Sequence, residues 1–305
     1  MVVRDTPAVS VILPSFNRLR FLVPAVESVF DQSFEDWELV IADDGSARDT
    51  LRYLESIAGG RVTVIKLPRS GNPSRVRNAA IKAAVGRYLA FLDSDDIWAP
   101  NKLARQLTAL QTRCESRWCY TACGHIDAWG NPWPRKNDQP IFRPQGWIFE
   151  DLLTLNIGIA MPTVFAEKSL VDEVGGFDEE QRFGEFHDLC LRLAMRAAVV
   201  ALDDTLCWVR THDEHYSSDR IGDQAAWMRL YEKMSNLATA PSLVRYCKKM
   251  RASTSLKLAR EQVAAREFGS ALATLISAAR YSWRFPNWWW GVLKGGMRLA
   301  VRKGG

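Results

Sequence analysis

Four short apolar runs, rich in β-branched residues, alternate with stretches of helical periodicity through the first hundred residues, and this alternation limits the fold more than any other feature. The runs are VSVIL at 9–13, WELVIA at 37–42, a third at 62–67, and RYLAFL at 87–92. Runs that are apolar almost throughout predict strands covered on both faces, as in a parallel sheet. Leu22, Val26, Val29 and Phe30 recur at helical spacing after the first run, and Leu51, Leu54 and Ile57 after the second. A helix over about 73–84 follows the third run, with Pro73 in its first turn, where the missing N–H costs nothing. Strand, helix, strand, helix in this order implies right-handed crossovers and a doubly wound α/β sheet. Ligands of such sheets bind outside the carboxyl ends of the strands.

Those ends are acidic. Asp43 and Asp44 follow the second run, and Asp93, Asp95 and Asp96 follow the fourth. In extended chain, residues i and i+2 point the same way, so Asp93 and Asp95 are expected to converge on one ligand. Clustered carboxylates repel unless a cation compensates, and hard oxygen donors suit Mg²⁺ or Mn²⁺, which would also neutralise a diphosphate. The plainer alternative is that Asp-Asp-Gly-Ser is a turn and Asp-Ser-Asp-Asp a helix cap.

Beyond residue 113 the pattern changes. The stretch 114–149 is rich in Trp, Pro and Gly and has no clear period, while further strands are expected near 161–165 and 199–202 and a helix over 185–195. From Ile221 onward helical spacing dominates, with Trp227, Leu230, Tyr231 and Met234 on one face. The expected division is a catalytic domain over 1–220 and a helical, basic, Trp-rich region over 221–305. The net charge of +5 conceals an asymmetry: residues 241–305 carry 13 Lys/Arg against 2 Asp/Glu, and residues 1–240 carry 27 against 33. A basic appendage of this kind suits an anionic surface.

Four blocks in order carry a resemblance: VSVILPSFNR at 9–18, ELVIADDGS at 38–46, RNAAIKAAVGRYLAFLDSDDIWAP at 77–100 and GGFDEEQRFGEFHDLCLRLA at 175–194. Together they resemble the family 2 glycosyltransferases of the GT-A fold, over about residues 8–215. The resemblance implies a Rossmann-like nucleotide-binding domain with a mixed central sheet, followed here by the helical segment. It also implies an enzyme that moves a sugar from a nucleoside diphosphate donor, usually UDP-linked, to a hydroxyl of a saccharide or lipid-linked acceptor with inversion. Carried over by position, Pro14, Ser15 and Asn17 line the nucleotide pocket, and Asp43, beside Asp44, accepts from the base. Asp93 and Ser94 belong to the DXD motif, in which Asp93 holds the ribose side and Asp95 ligates Mn²⁺ or Mg²⁺. Arg77 pairs with phosphate or serves structurally. Val209-Arg210-Thr211-His212, with Ser217 and Ser218 after it in the chain, resembles the family's closing segment, in which His212 is a second metal candidate and His215 a lesser one.

Inverting displacement needs one base for the acceptor proton, while a metal-bound diphosphate leaves without a general acid. The family's base comes from a Glu-Asp pair, but here Phe186 stands in the Asp position of Glu185-Phe186-His187-Asp188-Leu189. Asp188 or Glu185 is the expected base, with His187 behind them. If neither serves, the chain is a nucleotide-sugar-binding scaffold. A polyprenyl-phosphate sugar synthase is the enzyme alternative.

No run reaches the roughly 18 apolar residues of a membrane-spanning helix. Asp5 and the lack of a small-residue cleavage site make the N-terminus a poor signal peptide, and six cysteines without regular pairing fit reduced thiols, so a cytoplasmic chain is expected. Cys114, Cys119, Cys123 and His125 invite a zinc reading, but their spacing is not that of paired knuckles, and buried thiols are the default. Residues 281–303 hold four tryptophans and five basic residues without an acidic one. That composition points to peripheral attachment at the anionic inner face of the membrane; the other reading is that Trp288, Trp289 and Trp290 fill a groove on the catalytic domain. The aromatics are bunched rather than spread over a basic sheet face, so nucleic acid is not expected as a partner.

Overall fold

The computed structural model describes residues 6–113, 115–133, 143–212 and 219–293. These residues form two compact units that divide between residues 214 and 215, with the short segment 180–184 joining the second unit.

The first unit is built on an eight-stranded sheet of the described residues, in the order β3-β2-β1-β4-β7-β6-β8-β5. The four apolar runs become β1 (Val9–Ser15), β2 (Trp37–Asp43), β3 (Val62–Lys66) and β4 (Tyr88–Phe91). β1 lies parallel to β2 and to β4, and β2 parallel to β3. The helices α1 (Leu19–Phe30), α2 (Arg48–Ile57) and α3 (Pro73–Ala83) supply the crossovers. Val9, Val11, Leu13, Leu39 and Ile41 are fully buried with Leu22, Val26 and Val29 of α1, each such side chain contributing about 1.5–3 kcal/mol of transfer free energy. Asn72 caps α3, accepting from the N–H groups of Ser74 and Arg75. Register sets where chemistry can occur: Ser15 stands opposite Asp43, and Asp43 opposite Lys66, so these strands end together.

The remainder of the unit is β5 (Ile97–Trp98), α4 (Lys102–Gln111), β6 (Ser116–Ile126), α5 (Phe149–Leu153), β7 (Phe165–Glu167), α6 (Lys168–Glu173), α7 (Glu185–Ala194) and β8 (Ala198–Arg210). β7 is antiparallel to β4 and to β6, β6 and β8 are parallel, and β5 is antiparallel to β8, so the sheet is mixed. Buried Gln32 ties α1 to this part, donating to the carbonyls of Ser28 and Ala99 and accepting from the Leu103 N–H.

Three expectations change. The aperiodic stretch holds β6, whose middle is buried on both faces and whose pairing with β8 is interrupted by register shifts at Thr121, Ala122 and Cys123, so no alternation shows. The strand expected over 161–165 is a 3₁₀ turn at Met161–Thr163 followed by β7, because Pro162 has no N–H for a ladder. The strand expected over 199–202 extends to Arg210.

The second unit contains α8 (Arg220–Leu237), α9 (Pro241–Ala264), α10 (Phe268–Ser282) and a final helical stretch over 286–293. Asp219 caps α8 by accepting from the Gly222 N–H, and Leu230, Tyr231 and Met234 are buried as their spacing predicts. Trp288 is buried with Ala252 and Ala278 and donates from Nε1 to Ser255 Oγ at 3.0 Å, while Trp289 and Trp290 are exposed. Within this unit, therefore, one tryptophan of the triplet fills a core, and the other two do not.

Candidate active site

The loops after β1 and β2 are stitched together. Asn17 and Arg18 both take left-handed backbone, at φ 53° and 54°. The Asn17 N–H donates to Ser46 Oγ at 2.7 Å, and its Oδ1 accepts from the Ala47 N–H at 2.7 Å. Asp43 is fully buried and accepts from the Ser46 N–H at 2.9 Å and from Ser46 Oγ at 2.5 Å. Gly45 makes this turn at φ 75°, and a Cβ there would lie 3.0 Å from the Arg69 nitrogen. Asp44 accepts from the Ser70 N–H and hydroxyl, from the Gly71 N–H and from Arg69. Burial alone would raise the Asp44 carboxyl, but these donors outweigh it and hold it below the ordinary value. Both carboxylates thus organise turns, as the plainer reading of Asp-Asp-Gly-Ser has it. Pro14 is partly exposed, and Ser15 is buried with a hydroxyl that has no hydrogen-bond partner.

Beside this edge lies the acidic turn. The expectation that Asp93 and Asp95 face one ligand on extended chain fails: residues 94–95 form a turn closed by the Asp96 N–H donating to the Asp93 carbonyl at 3.2 Å. Ser94 is partly exposed within it. The turn sends its carboxylates to different partners. Asp93 accepts from Arg77 Nη2 at 2.7 Å. Asp95 Oδ2 accepts from Arg18 Nη1 at 3.1 Å and lies 2.9 Å from His212 Nε2. The His212 ring is stacked on Phe21, centroids 4.7 Å apart. Asp96 is buried and accepts from the Arg210 N–H at 2.9 Å; burial first, then the charges of Asp95 and Asp93, raise its carboxyl well above the ordinary value. Arg210 also donates from Nε to the Asp95 carbonyl at 2.8 Å. Its backbone and side chain fix the turn at the point where β8 ends.

The two expected bases sit in contrasting places. Glu185, at the start of α7, accepts from Arg77 Nη1 at 3.0 Å, so one buried guanidinium joins Asp93 to Glu185. Burial by itself would lower the pKa of Arg77, but Asp93 and Glu185 raise it, and the cation persists. Asp188, one turn along α7, is fully buried and accepts from Arg192, whose Nη1 also donates to the carbonyls of Val174 and Gly176. His187 is pushed down to about 4 by burial, against the opposing pull of Asp188.

The model of glycosyl transferase family 2 matches residues 10–167, which hold β1 to β7 and the acidic turn. The chain belongs to glycosyl transferase family 2. Among related members, the Bacillus subtilis protein named for teichuronic acid biosynthesis, glycosyltransferase TuaG, is 35% identical over 171 residues, covering 55% of this chain and 65% of that one. The Escherichia coli protein WfgD, named UDP-Glc:alpha-D-GlcNAc-diphosphoundecaprenol beta-1,3-glucosyltransferase, is 36% identical over 106 residues, 35% of this chain and 42% of that one. The chain spans less than two thirds of either relative. Among solved structures, Staphylococcus aureus TarS in complex with UDP-GlcNAc aligns with a TM-score of 0.63 at 21% identity, over 83% of this chain and 70% of that one. Mannosyltransferase PcManGT from Pyrobaculum calidifontis, in complex with GDP-Man and Mn²⁺, aligns at 0.60 and 17%, over 98% and 87%. These likenesses and the mixed sheet establish the GT-A type fold.

Within this family 2 chain, the expected site residues fall into three groups. Pro14, Ser15, Asn17, Asp43 and Asp44 belong to the turns at the ends of β1 and β2; Arg77, Asp93 and Glu185 are linked; Asp95 and His212 meet. Asp188 stands apart on Arg192. Arg18 and Arg210 were given no role from the sequence, although each lies inside a quoted motif, VSVILPSFNR at 9–18 and Val209-Arg210-Thr211-His212. Of the residues of the zinc alternative, Cys119 and Cys123 form no disulfide among the described residues, burial pushes Cys119 up to about 12, and Cys114 lies outside the described residues. Ser217, Ser218 and His215 lie outside them as well.

Proposed function

We propose that this chain is an inverting glycosyltransferase that moves a sugar from a UDP-linked donor to a hydroxyl of a saccharide or lipid-linked acceptor, in the assembly of a cell-surface polysaccharide or glycolipid. The observation that carries this reading is the buried Arg77 guanidinium, which holds Asp93 of the acidic turn and Glu185 of α7 in one fixed relation. Support for the substrate class comes from relatives named for teichuronic acid biosynthesis and for glucosyl transfer to a lipid diphosphate, and from a fold neighbour bound to UDP-GlcNAc.

The turns carrying Pro14, Ser15, Asn17, Asp43 and Asp44 wall the nucleotide, and the unpartnered Ser15 hydroxyl is free to bond it. Asp93 and Ser94 face the ribose side. Asp95 and His212 fit a divalent ion, a carboxylate oxygen and an imidazole nitrogen 2.9 Å apart and nearly buried, a donor pair that Mn²⁺ accepts. Among the described residues no third His, Cys, Asp or Glu joins them, and diphosphate oxygens and water would fill other positions of an ion. Such an ion, when bound, neutralises charge on the departing diphosphate. Glu185 takes the acceptor proton: it is partly exposed, and Arg77 orients its carboxylate. Asp188 positions α7 through Arg192, and Phe186 leaves Glu185 as the family pair's remaining carboxylate.

The basic C-terminal region attaches the enzyme peripherally to the inner face of the membrane; no helix of the described residues is long and apolar enough to cross it. The test of donor class is a panel of nucleoside diphosphate sugars, with Mn²⁺ or with chelator, read as thermal stabilisation. UDP-sugars should stabilise the chain only with the ion. Stabilisation by none of the panel, or by all of them alike in chelator, would overturn the reading.

A further inference from the structure

The second unit carries an open groove of about 890 Å³ between the first half of α9 and the end of α10. Arg245 and Lys248 of α9 and Arg280 and Arg284 at the end of α10 line it, with Trp283 and Phe285. All four cations are exposed, and among the described residues none is paired with a carboxylate, whereas Arg251 of the same helix is paired with Glu232 at 2.8 Å. Four like charges around one groove repel one another, a cost that a bound anion removes.

A second observation adjoins it. Phe268, Leu272 and Ile276 of α10, with Trp283 after it, are between 56% and 60% exposed. At 100° per residue the four fall within an arc of roughly 80°, so they form one apolar stripe along the outer face of the helix. Ala271 and Ala278, roughly 110° round the helix from the centre of the stripe, are buried on the adjoining flank. Trp283 belongs both to the stripe and to the groove, so apolar surface runs directly into a cluster of cations. A large indole at that junction is what a headgroup boundary favours, with apolar groups below it and Lys/Arg at the phosphates.

We propose that this groove and stripe together dock the chain on an anionic bilayer, the groove receiving lipid phosphates and the α10 stripe entering the headgroup–acyl boundary. This rests on the reading of peripheral membrane attachment and moves its seat from the extreme C-terminus to α9 and α10. Charge complementarity selects the occupant: a second copy of this chain would bring the same unpaired cations to the contact, which disfavours self-association there. No covalent step is involved, and the docking is independent of turnover.

The test uses the full chain in co-sedimentation with vesicles of phosphatidylcholine, alone or with phosphatidylglycerol. Binding should require phosphatidylglycerol and fall as salt is raised. Arg280→Glu with Arg284→Glu should weaken partitioning by roughly tenfold or more, and Leu272→Ser with Ile276→Ser should weaken it at low salt as well. A third variant replaces Lys294, Arg298, Arg302 and Lys303 by Gln and should retain most of the binding. Thermal unfolding of each variant reports whether its fold is intact. Equal binding to neutral vesicles, no binding at all, or a dimer that the stripe variant dissolves would overturn the proposal. Loss confined to the Gln variant would overturn the groove while leaving membrane attachment through the tail intact.

Discussion

A guanidinium buried between two carboxylates is expensive to desolvate and is kept where its geometry matters, and Arg77 is such a group. Its link from Asp93 to Glu185 gives the two neighbouring carboxylates of α7 different expected behaviours. Glu185→Gln should lower turnover of the donor selected by thermal stabilisation about 10²-fold, with only about 1 kcal/mol of stability lost, because Arg77 keeps Asp93. Asp188→Asn should do the reverse, leaving Arg192 buried and unbalanced, with a loss of about 3–5 kcal/mol in urea unfolding. Rates and unfolding midpoints measured side by side distinguish the two. His187 gives a pH dependence whose sign is fixed by its environment. Its folded value, about 4, lies below the ordinary 6.5, so the unfolded chain binds the proton first as pH falls. Stability from this group is complete above 6.5 and lost toward 4, about 2 kcal/mol of it between pH 7 and pH 5. Urea titrations at those pH values should show this drop in the wild type and a smaller one in His187→Asn.

At the level of elements, the junction of α1, the loop after β5 and the start of α4 depends on Gln32, which satisfies three buried backbone groups. Gln32→Leu removes the side-chain partner of the Ser28 carbonyl and of the Leu103 N–H, while the Ala99 carbonyl keeps the Lys102 N–H at 3.1 Å, and should cost about 2–4 kcal/mol by chemical denaturation. A loss below about 1 kcal/mol would show that water or local shifts replace the side chain. The same elements show what the sequence discloses. β1 to β4 were legible because each is a short apolar run between helical stretches, and α7 and α8 because their apolar spacing is regular. β6 was not, and β8 only over 199–202, since register shifts break their pairing and leave no regular alternation to read. The site was legible in its residues rather than in its contacts. That Asp93 and Asp95 are acidic and adjacent to a strand end is plain, but the turn that sends one to Arg77 and the other to Arg18 and His212 joins residues far apart in the chain.

For the molecule as a whole, the modest net charge resolves into an acidic sheet edge and a basic helical unit. Asp43, Asp44, Asp93, Asp95 and Asp96 of the first unit lie where β2 and β4 end; Arg245, Lys248, Arg280 and Arg284 of the second line an open groove beside an apolar stripe. Each arrangement suits an anionic ligand of a different kind: we propose a diphosphate held by way of a metal ion at the sheet edge and lipid phosphates held directly in the groove. The central claim is that Asp95 and His212 hold the ion through which this edge receives a nucleoside diphosphate. Calorimetric titration of the full chain with UDP, needing no acceptor, tests it. With Mn²⁺ present UDP should bind, chelator should weaken binding about tenfold or more, and Asp95→Asn in Mn²⁺ should reproduce the chelator result. Equal affinity for UDP under all three conditions would contradict the account.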